Sequence, residues 1–448
     1  MIRIMPIGGY NEFGRNMTAV NVDGEVVIFD MGLDVEKYVS LSGDDDKLKL
    51  GRNYLIKDKV IPDDSIISAW KKNVKAIVIG HGHLDHLGAV PFLEKSYDAP
   101  IICTAYTGEI LKAIARDDNH TFRNRIVTIG SNESYHLSDD LAIEFVNMTH
   151  SIPDTVMATL KTKYGTIVYA NDFKLDDNPI LGKKPNYAKI EKLGNGNVIA
   201  LIIDGTGASV EQKTPSEAVA KEMLKDILLS KGFHFRTIIV TTFSSHIARL
   251  KSIVEFAKKM NRKPVFMGRS MCKYIDAAEN VELVEFTKEA EMIRFKSAIK
   301  KFLRDVMRDR THDRYLFICT GHQGEPDSVL GKIASGGIHF DISSSDAIVF
   351  SCRVIPTKTN IDNRQELERQ LSLTKAMMFR DVHVSGHASR DDQRVLIEML
   401  KPKNVIPAHG SMKMTEDLVK LCESLGYRKG KDVHHIHDGL LLEINQDK

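Results

Sequence analysis

Apolar and polar positions along this chain change their rhythm several times, and each change marks a part. From Ile2 to Asp30 they alternate as antiparallel strands do: Ile2-Arg3-Ile4-Met5-Pro6, Thr18-Ala19-Val20-Asn21-Val22 and Val26-Val27-Ile28-Phe29-Asp30. Asp23-Gly24 between the last two predicts a hairpin turn. Residues 34–65 lose this periodicity, carry Asp44-Asp45-Asp46 and read as a surface insertion or lid. From Val74 to about residue 200, short β-branched runs alternate with helical segments. The clearest runs are Val74–Ile79, Ile143–Val146, Thr166–Ala170 and Val198–Ile203. From about residue 207 to 365 the texture becomes a regular alternation of helix and buried strand. Pro215–Leu229 predicts an amphipathic helix, and Thr237–Thr242, Pro264–Met267, Tyr315–Cys319 and Ala347–Phe350 predict the strands of a parallel α/β unit. Val382–Val384 and Val405–Ala408 then return to the earlier style. His434-His435-Ile436-His437 alternates like an exposed strand and reads as structural.

Composition narrows this picture without adding chemistry. A chain of 448 residues is long enough for two domains or more, and 42% hydrophobic with 27% charged residues is ordinary for a soluble globular protein. No apolar run approaches a membrane span, and the N-terminus lacks the pattern of a signal peptide. Cys103, Cys272, Cys319, Cys352 and Cys422 are odd in number and widely spaced. That argues against a disulfide framework and fits a cytoplasmic protein. The net charge is only +2, so any polyanion must be held by a local patch. The basic positions between Arg294 and Arg314 are interleaved with acids and read as a solvated helix face.

The chemistry is concentrated in His81-Gly82-His83-Leu84-Asp85-His86, on the turn after the Val74–Ile79 run. Three imidazoles and a carboxylate this close together are poor core material, because each would need a buried polar partner. They are the ligand types that Zn²⁺ favours. His81 and His83 can point to one side and Asp85 and His86 to the other, which suggests two metals. Such a pair needs one more nitrogen and a bridging carboxylate. His150 and Asp172, each just past a strand's end, are the candidates. Asp30, also at a strand end, reads equally as a turn residue or as a group orienting a ligand histidine. Asp204 reads locally as a turn residue before glycine. In the second region small, hydroxyl-rich turns follow the strands, at Ser244-Ser245-His246, Gly268-Arg269-Ser270, Thr320-Gly321-His322 and Ser351. Capping explains each singly. Several in one domain point to phosphate.

With these residues in view the chain resembles the β-CASP branch of the metallo-β-lactamase superfamily, and within it the ribonuclease J family, archaeal type. The resemblance rests on the HxHxDH run His81–His86 and on Gly8-Gly9-Tyr10-Asn11-Glu12-Phe13-Gly14-Arg15-Asn16-Met17. It also rests on His150-Ser151-Ile152-Pro153-Asp154, Asp172-Phe173-Lys174, Asp204, His387 and His409. His322 and Ser411 depart from the commoner serine and glutamate of that family. The resemblance implies an α/β protein: a metallo-β-lactamase αββα sandwich (residues 1–206 and 366–448) split by an inserted parallel α/β β-CASP domain (207–365). It implies one metal on His81, His83 and His150 and another on Asp85, His86 and His409, with Asp172 bridging. The ions would be two Zn²⁺ per chain, with Mn²⁺ compatible. Asp85, His387 and Asp204 would be the catalytic residues, His387 binding the scissile phosphate or protonating the leaving group. Ser245, His246, Ser351, Ser385 and His387 would hold substrate phosphates. The implied activity is hydrolysis of single-stranded RNA, mainly 5′-to-3′ from 5′-monophosphate ends with some endonuclease cutting, by a cytoplasmic homodimer without membrane contact. The rival expectation is an endonuclease resembling the cleavage and polyadenylation specificity factor.

Overall fold

A computed structural model describes residues 1–41, 51–117, 119–230, 232 and 234–445. The chain forms two compact units. The first comprises Met1–Asp177, Lys183–Thr214 and Gly386–Lys448, and the second Asn178–Gly182 and Pro215–Ser385.

The first unit is built on two mixed sheets. One has seven strands in the order Leu442–Ile444, Ile2–Gly8, Met17–Val22, Glu25–Phe29, Val74–Val78, Ile101–Cys103, Ile126–Thr128. The other has six, in the order Asn404–Ala408, Val198–Asp204, Gly165–Ala170, Val156–Thr162, Ala142–Asn147, Ser134–His136. The expected hairpin is present: Asp23 and Gly24 both have positive φ (52° and 99°), and Val22 pairs with Glu25. Ile4, Val20, Val27 and Val78 of the first sheet share one core with Phe145, Leu160, Ile167 and Ile202 of the second. The sheets therefore pack face to face, which buries the apolar side of each alternating strand. Val198–Asp204 is buried at every position, as a central strand covered on both faces must be. Helices Tyr187–Gly194, Arg390–Leu400 and Met412–Ser424 carry core residues for its outer face, Ile190, Leu396 and Leu418 among them. This is the expected αββα sandwich.

The second unit holds an all-parallel sheet in the order Glu291–Ile293, Lys263–Met267, Tyr315–Cys319, Ile238–Thr241, Ala347–Phe350, Met377–Phe379. Its centre is tied by Arg249, whose side chain is wholly buried. The guanidinium donates to both Glu217 oxygens (2.5 and 2.9 Å), to Ser351 O and Oγ, and to Val382 O (3.1, 2.7 and 3.0 Å). Removing one partner of a buried pair like this typically costs ~3–5 kcal/mol.

Several expectations change here. The units divide at Thr214/Pro215 and Ser385/Gly386 rather than at 206/207 and 365/366. Gly207 bridges to Ser389 and Ala208 sits in the first unit's core, while Met377–Phe379 pairs with Ala347–Phe350 of the second. Segment 34–65 is only partly a surface insertion. Leu55, Val60 and Ile61 are wholly buried, and buried Asp64 is held by Arg52, Lys71 and the Tyr97 hydroxyl. Asp44-Asp45-Asp46 lies outside the described residues. His434–His437 is a loop rather than a strand, with His434 bonded to Asn404 (2.8 Å) and His435 to Thr415 (2.8 Å). The solvated-face reading of the basic run fits helix Lys296–Asp309, where Arg308 pairs with Asp305 and Asp309. All five cysteines are buried and free. No helix among the described residues is long and apolar enough to cross a membrane.

Candidate metal centre

The ends of the first unit's strands bring the chemistry together. Strand Val74–Val78 delivers His81, and His83 is the N-cap of the short helix Leu84–Leu87, which carries Asp85 and His86. His150 follows Ala142–Asn147, Asp172 follows Gly165–Ala170, Asp204 ends Val198–Asp204, and His409 follows Asn404–Ala408. The close fit needs glycine at two points. A Cβ on Gly32 would lie 1.6 Å from Asp85 O, and one on Gly386 would lie 2.8 Å from Ser151 Cβ and 3.1 Å from His150 Cε1.

Three donor groups result: His81, His83, His150 and Asp172; Asp85, His86, Asp172 and His409; and Asp172, Asp204 and His387. In the first, His83 Nδ1 stands 3.1 Å from His81 Nε2 and 3.2 Å from His150 Nε2, and Asp172 Oδ2 stands 3.5 and 3.4 Å from those same two nitrogens. In the second, His86 Nε2 is 3.4 Å from Asp85 Oδ2 and 3.3 Å from Asp172 Oδ1, and His409 Nε2 is 3.5 Å from Asp172 Oδ1. Four donors ~2.0–2.1 Å from one tetrahedral ion stand ~3.3–3.4 Å from each other, so the spacing is that of ligands around a cation. Asp172 Oδ1 is buried and has no hydrogen-bond partner, an orphaned acceptor of the kind a cation satisfies. The residues fit the implied metals.

Charge and tautomer agree with this fit. Burial above all holds His81 and His150 well below the ordinary histidine range, and His83 down at about 4, so these rings are neutral and offer lone pairs. Burial works against charge on His86, but Asp172, Asp85 and Asp30 outweigh it and hold its imidazole well above the ordinary range. Burial would likewise raise Asp172, yet His409, His86 and His387 keep it well below the carboxylate range. The second donor group thus draws positive charge to its middle.

The supporting groups set which nitrogen faces inward. His86 Nδ1 donates to Asp30 Oδ2 (2.7 Å), which also accepts from the Tyr169 hydroxyl (2.9 Å), while Gly80 N donates to Asp30 Oδ1 (2.9 Å). His150 Nδ1 donates to Gly386 O (2.7 Å). Asn16 Nδ2 donates to Asp85 O (3.0 Å), which leaves Asn16 Oδ1 to accept from His409 Nδ1 (3.0 Å). Each bond fixes a tautomer and leaves Nε2 directed at the carboxylates. Asp30 is therefore more than a turn residue. Asn16 and Tyr169 were not singled out in the sequence, where Asn16 stood only in a glycine-rich run and Tyr169 looked like any strand aromatic.

His387 lies beside these groups. Its Nδ1 donates to Asp204 Oδ2 (2.9 Å) and stands 3.9 Å from Asp172 Oδ2. Its ring stacks on His409 with centroids 5.4 Å apart. Burial opposes its charge, but Asp204 and Asp172 prevail and lift it to about 9. Asp204 is itself fixed by Thr206 N and Oγ1 (2.8 and 2.7 Å), the local turn expected of it, and in addition accepts from His387. The expected phosphate contacts are placed less uniformly. Ser385 is half-buried and Ser245 buried. His246 is buried with Nε2 3.4 Å from Glu217 Oε2. Ser351 is wholly enclosed, and its hydroxyl accepts from Arg249 Nη1 and donates to Val382 O (3.0 Å). That hydroxyl is committed to the interior of its unit, so the structure corrects its expected role as a phosphate contact.

Comparison with known proteins adds three family matches and relatives that span the whole chain, among them two from archaea. Residues 67–188 match the beta-lactamase superfamily domain, residues 236–366 the beta-CASP domain of ribonuclease J, and residues 375–435 the Zn-dependent metallo-hydrolase RNA specificity domain. Ribonuclease J of Methanocaldococcus jannaschii is 42% identical over 446 residues, covering 99% of each chain. Ribonuclease J of Pyrococcus abyssi is 42% identical over 446 residues, covering 99% of this chain and 97% of that one. A crystal structure of a protein of unknown function from Enterococcus faecalis superposes with a TM-score of 0.67 at 16% identity, covering 98% of this chain and 99% of that one, and shares the fold.

Proposed function

Because the chain belongs to the ribonuclease J family, we propose that it hydrolyses RNA mainly as a 5′-to-3′ exonuclease preferring 5′-monophosphate ends, with endonuclease cutting as a lesser activity. The observation that carries this reading is the junction of the three donor groups at Asp172, with His387 alongside, bonded to Asp204 (2.9 Å). His81, His83 and His150 would hold one cation and Asp85, His86 and His409 the other, with Asp172 shared. When bound, a metal pair held by these residues would supply an acidified water and would offset negative charge on phosphate. Asp30 and Asn16 keep the His86 and His409 rings in place. His387, held by Asp204 through Nδ1, bonds a phosphate oxygen or gives a proton to the departing 3′-oxygen. The proposal includes two Zn²⁺, or Mn²⁺ in the same ligands, single-stranded RNA as substrate, and a cytoplasmic homodimer, as the family resemblance implies. Ser245, His246 and Ser385 are the proposed contacts for substrate phosphates.

The test is an RNA labelled at one end. A 5′-labelled monophosphate RNA is expected to release labelled mononucleotide from the first time points, and a 5′-triphosphate to slow this strongly. Internal fragments appearing first, with no effect of the 5′ group, would favour the endonuclease reading instead. Loss of a 3′ label first would contradict both.

A further inference from the structure

A cavity of about 910 Å³ lies within the second unit, at the amino-terminal ends of its parallel strands. Arg236 precedes strand Ile238–Thr241, Arg262 precedes Lys263–Met267, and His312 precedes Tyr315–Cys319. The hydroxyl-rich turns discussed above follow the same strands at their other ends, ~13–17 Å away for strands of this length. Within the second unit the cavity is thus separate from the turn that carries Ser245 and His246.

Its wall has two kinds of surface. Arg236, Lys259, Arg262 and Arg310 contribute four fixed cations against the two carboxylates Asp313 and Asp341. The Arg262 guanidinium donates to the carbonyls of Arg236, Tyr315 and Phe235, and among the described residues it makes no ion pair. Arg310, exposed at the end of helix Lys296–Asp309, makes none either among the described residues. Lys259 is paired with Glu255 (2.7 Å) and Arg236 with Asp346 (2.7 Å). Leu228, Met260 and Met307 supply the apolar part, and thioethers pack well on flat rings. His312 belongs to the same wall. It is 6% exposed, its ring lies against Phe340 (5.4 Å), and its Nε2 is buried with no hydrogen-bond partner. His312 is thus a cavity-lining residue with a ring nitrogen whose hydrogen-bonding capacity is unused.

Two guanidinium groups without an ion pair among the described residues, Arg262 and Arg310, beside an apolar, polarisable wall suit a ligand that is anionic at one end and flat at the other, and the volume falls in the range of small-ligand sites. We propose that this cavity is a second nucleotide-binding site, with the phosphate at Arg310, Lys259 and Arg262 and the base against Met260 and Met307. Two sources share that chemistry: a free nucleoside monophosphate, and one nucleotide of an RNA strand lying across the domain. Only the choice of source draws on the ribonuclease reading; the site does not.

The test uses full-length protein carrying Asp172→Asn, so that binding is read without cleavage. Adenosine 5′-monophosphate and a 2′-O-methyl pentanucleotide are titrated by calorimetry into this protein and into the same protein with Lys259→Glu and Arg310→Glu. Both added changes are at surface positions and leave the Arg262 and Arg249 anchors alone. We expect saturable binding weakened by about tenfold or more in the charge-reversed protein, the loss that accompanies a charge-assisted contact. Effects on both probes support a free-nucleotide site, and effects on the pentanucleotide alone support a strand contact. Inorganic phosphate binding as tightly as the nucleotide, or nucleotide affinity unchanged by the charge reversal, would overturn the proposal. So would the failure of both probes to bind. With Asp172 in its native form, the charge-reversed protein should retain its cleavage of a saturating short RNA, which separates failure of this site from failure of the ribonuclease reading.

Discussion

Replacing Asp172 by asparagine is expected to cost roughly three orders of magnitude in the rate of RNA cleavage and to strip metal from the protein. Asp172 is the residue common to all three donor groups, with Oδ2 facing His81 and His150 and Oδ1 facing His86 and His409. Asparagine keeps the shape, so the buried site can stay packed. It removes the charge that binds cations and places an amide nitrogen where a lone pair is needed. Metal-derived charge stabilisation is worth several kcal/mol, and each 1.36 kcal/mol is a factor of ten in rate, hence the estimate of roughly 10³. Single-turnover kinetics and elemental analysis on the same preparation check it, with circular dichroism to confirm the fold. Full activity with a full metal complement would show that Asp172 is no bridge.

The second large effect separates catalysis from metal binding. His387→Ala should lower turnover by about two to four orders of magnitude, the range for a lost proton donor or phosphate contact. Metal content should stay at the wild-type value. The reason is geometric: His387 Nδ1 is engaged by Asp204 at 2.9 Å and stands 3.9 Å from Asp172, outside the spacing kept by the ligand nitrogens. A loss of metal in parallel with activity would make His387 a ligand instead.

What could be read in the sequence divides by distance along the chain. His81–His86 was legible because six adjacent positions hold four donors, a pattern no solvated turn or core requires. His150 and Asp172 became legible only beside that run. His387 and His409 needed the family resemblance: His387 lies in the loop before helix Arg390–Leu400, His409 is one residue past a strand, and the parallel pairing that gathers the strand ends is invisible locally. Asn16 touches the site through partners 69 and 393 residues away, and no local pattern announces that. Ser351 was misread for a similar reason. A serine after a strand looks available for phosphate until Arg249, which in sequence is one more basic residue on a helix, is found to lie buried against it. The half-buried segment 51–65 was hidden by irregular spacing, because Leu55, Val60 and Ile61 enter the core from short helical turns and follow neither strand nor helix periodicity. The boundary near residue 385 was missed because Met377–Phe379 is short and on the sheet's edge.

The central claim is that RNA is cut at a centre of two cations held by this set of histidines and carboxylates. It is tested most directly by titrating Zn²⁺, and separately Mn²⁺, into chelator-treated wild-type protein while following cleavage of end-labelled RNA and counting bound metal. The account predicts no cleavage by the stripped protein and recovery that levels off near two ions per chain, as the two donor groups fill. Cleavage that persists in the stripped protein, or that recovers without stable metal binding, would contradict it.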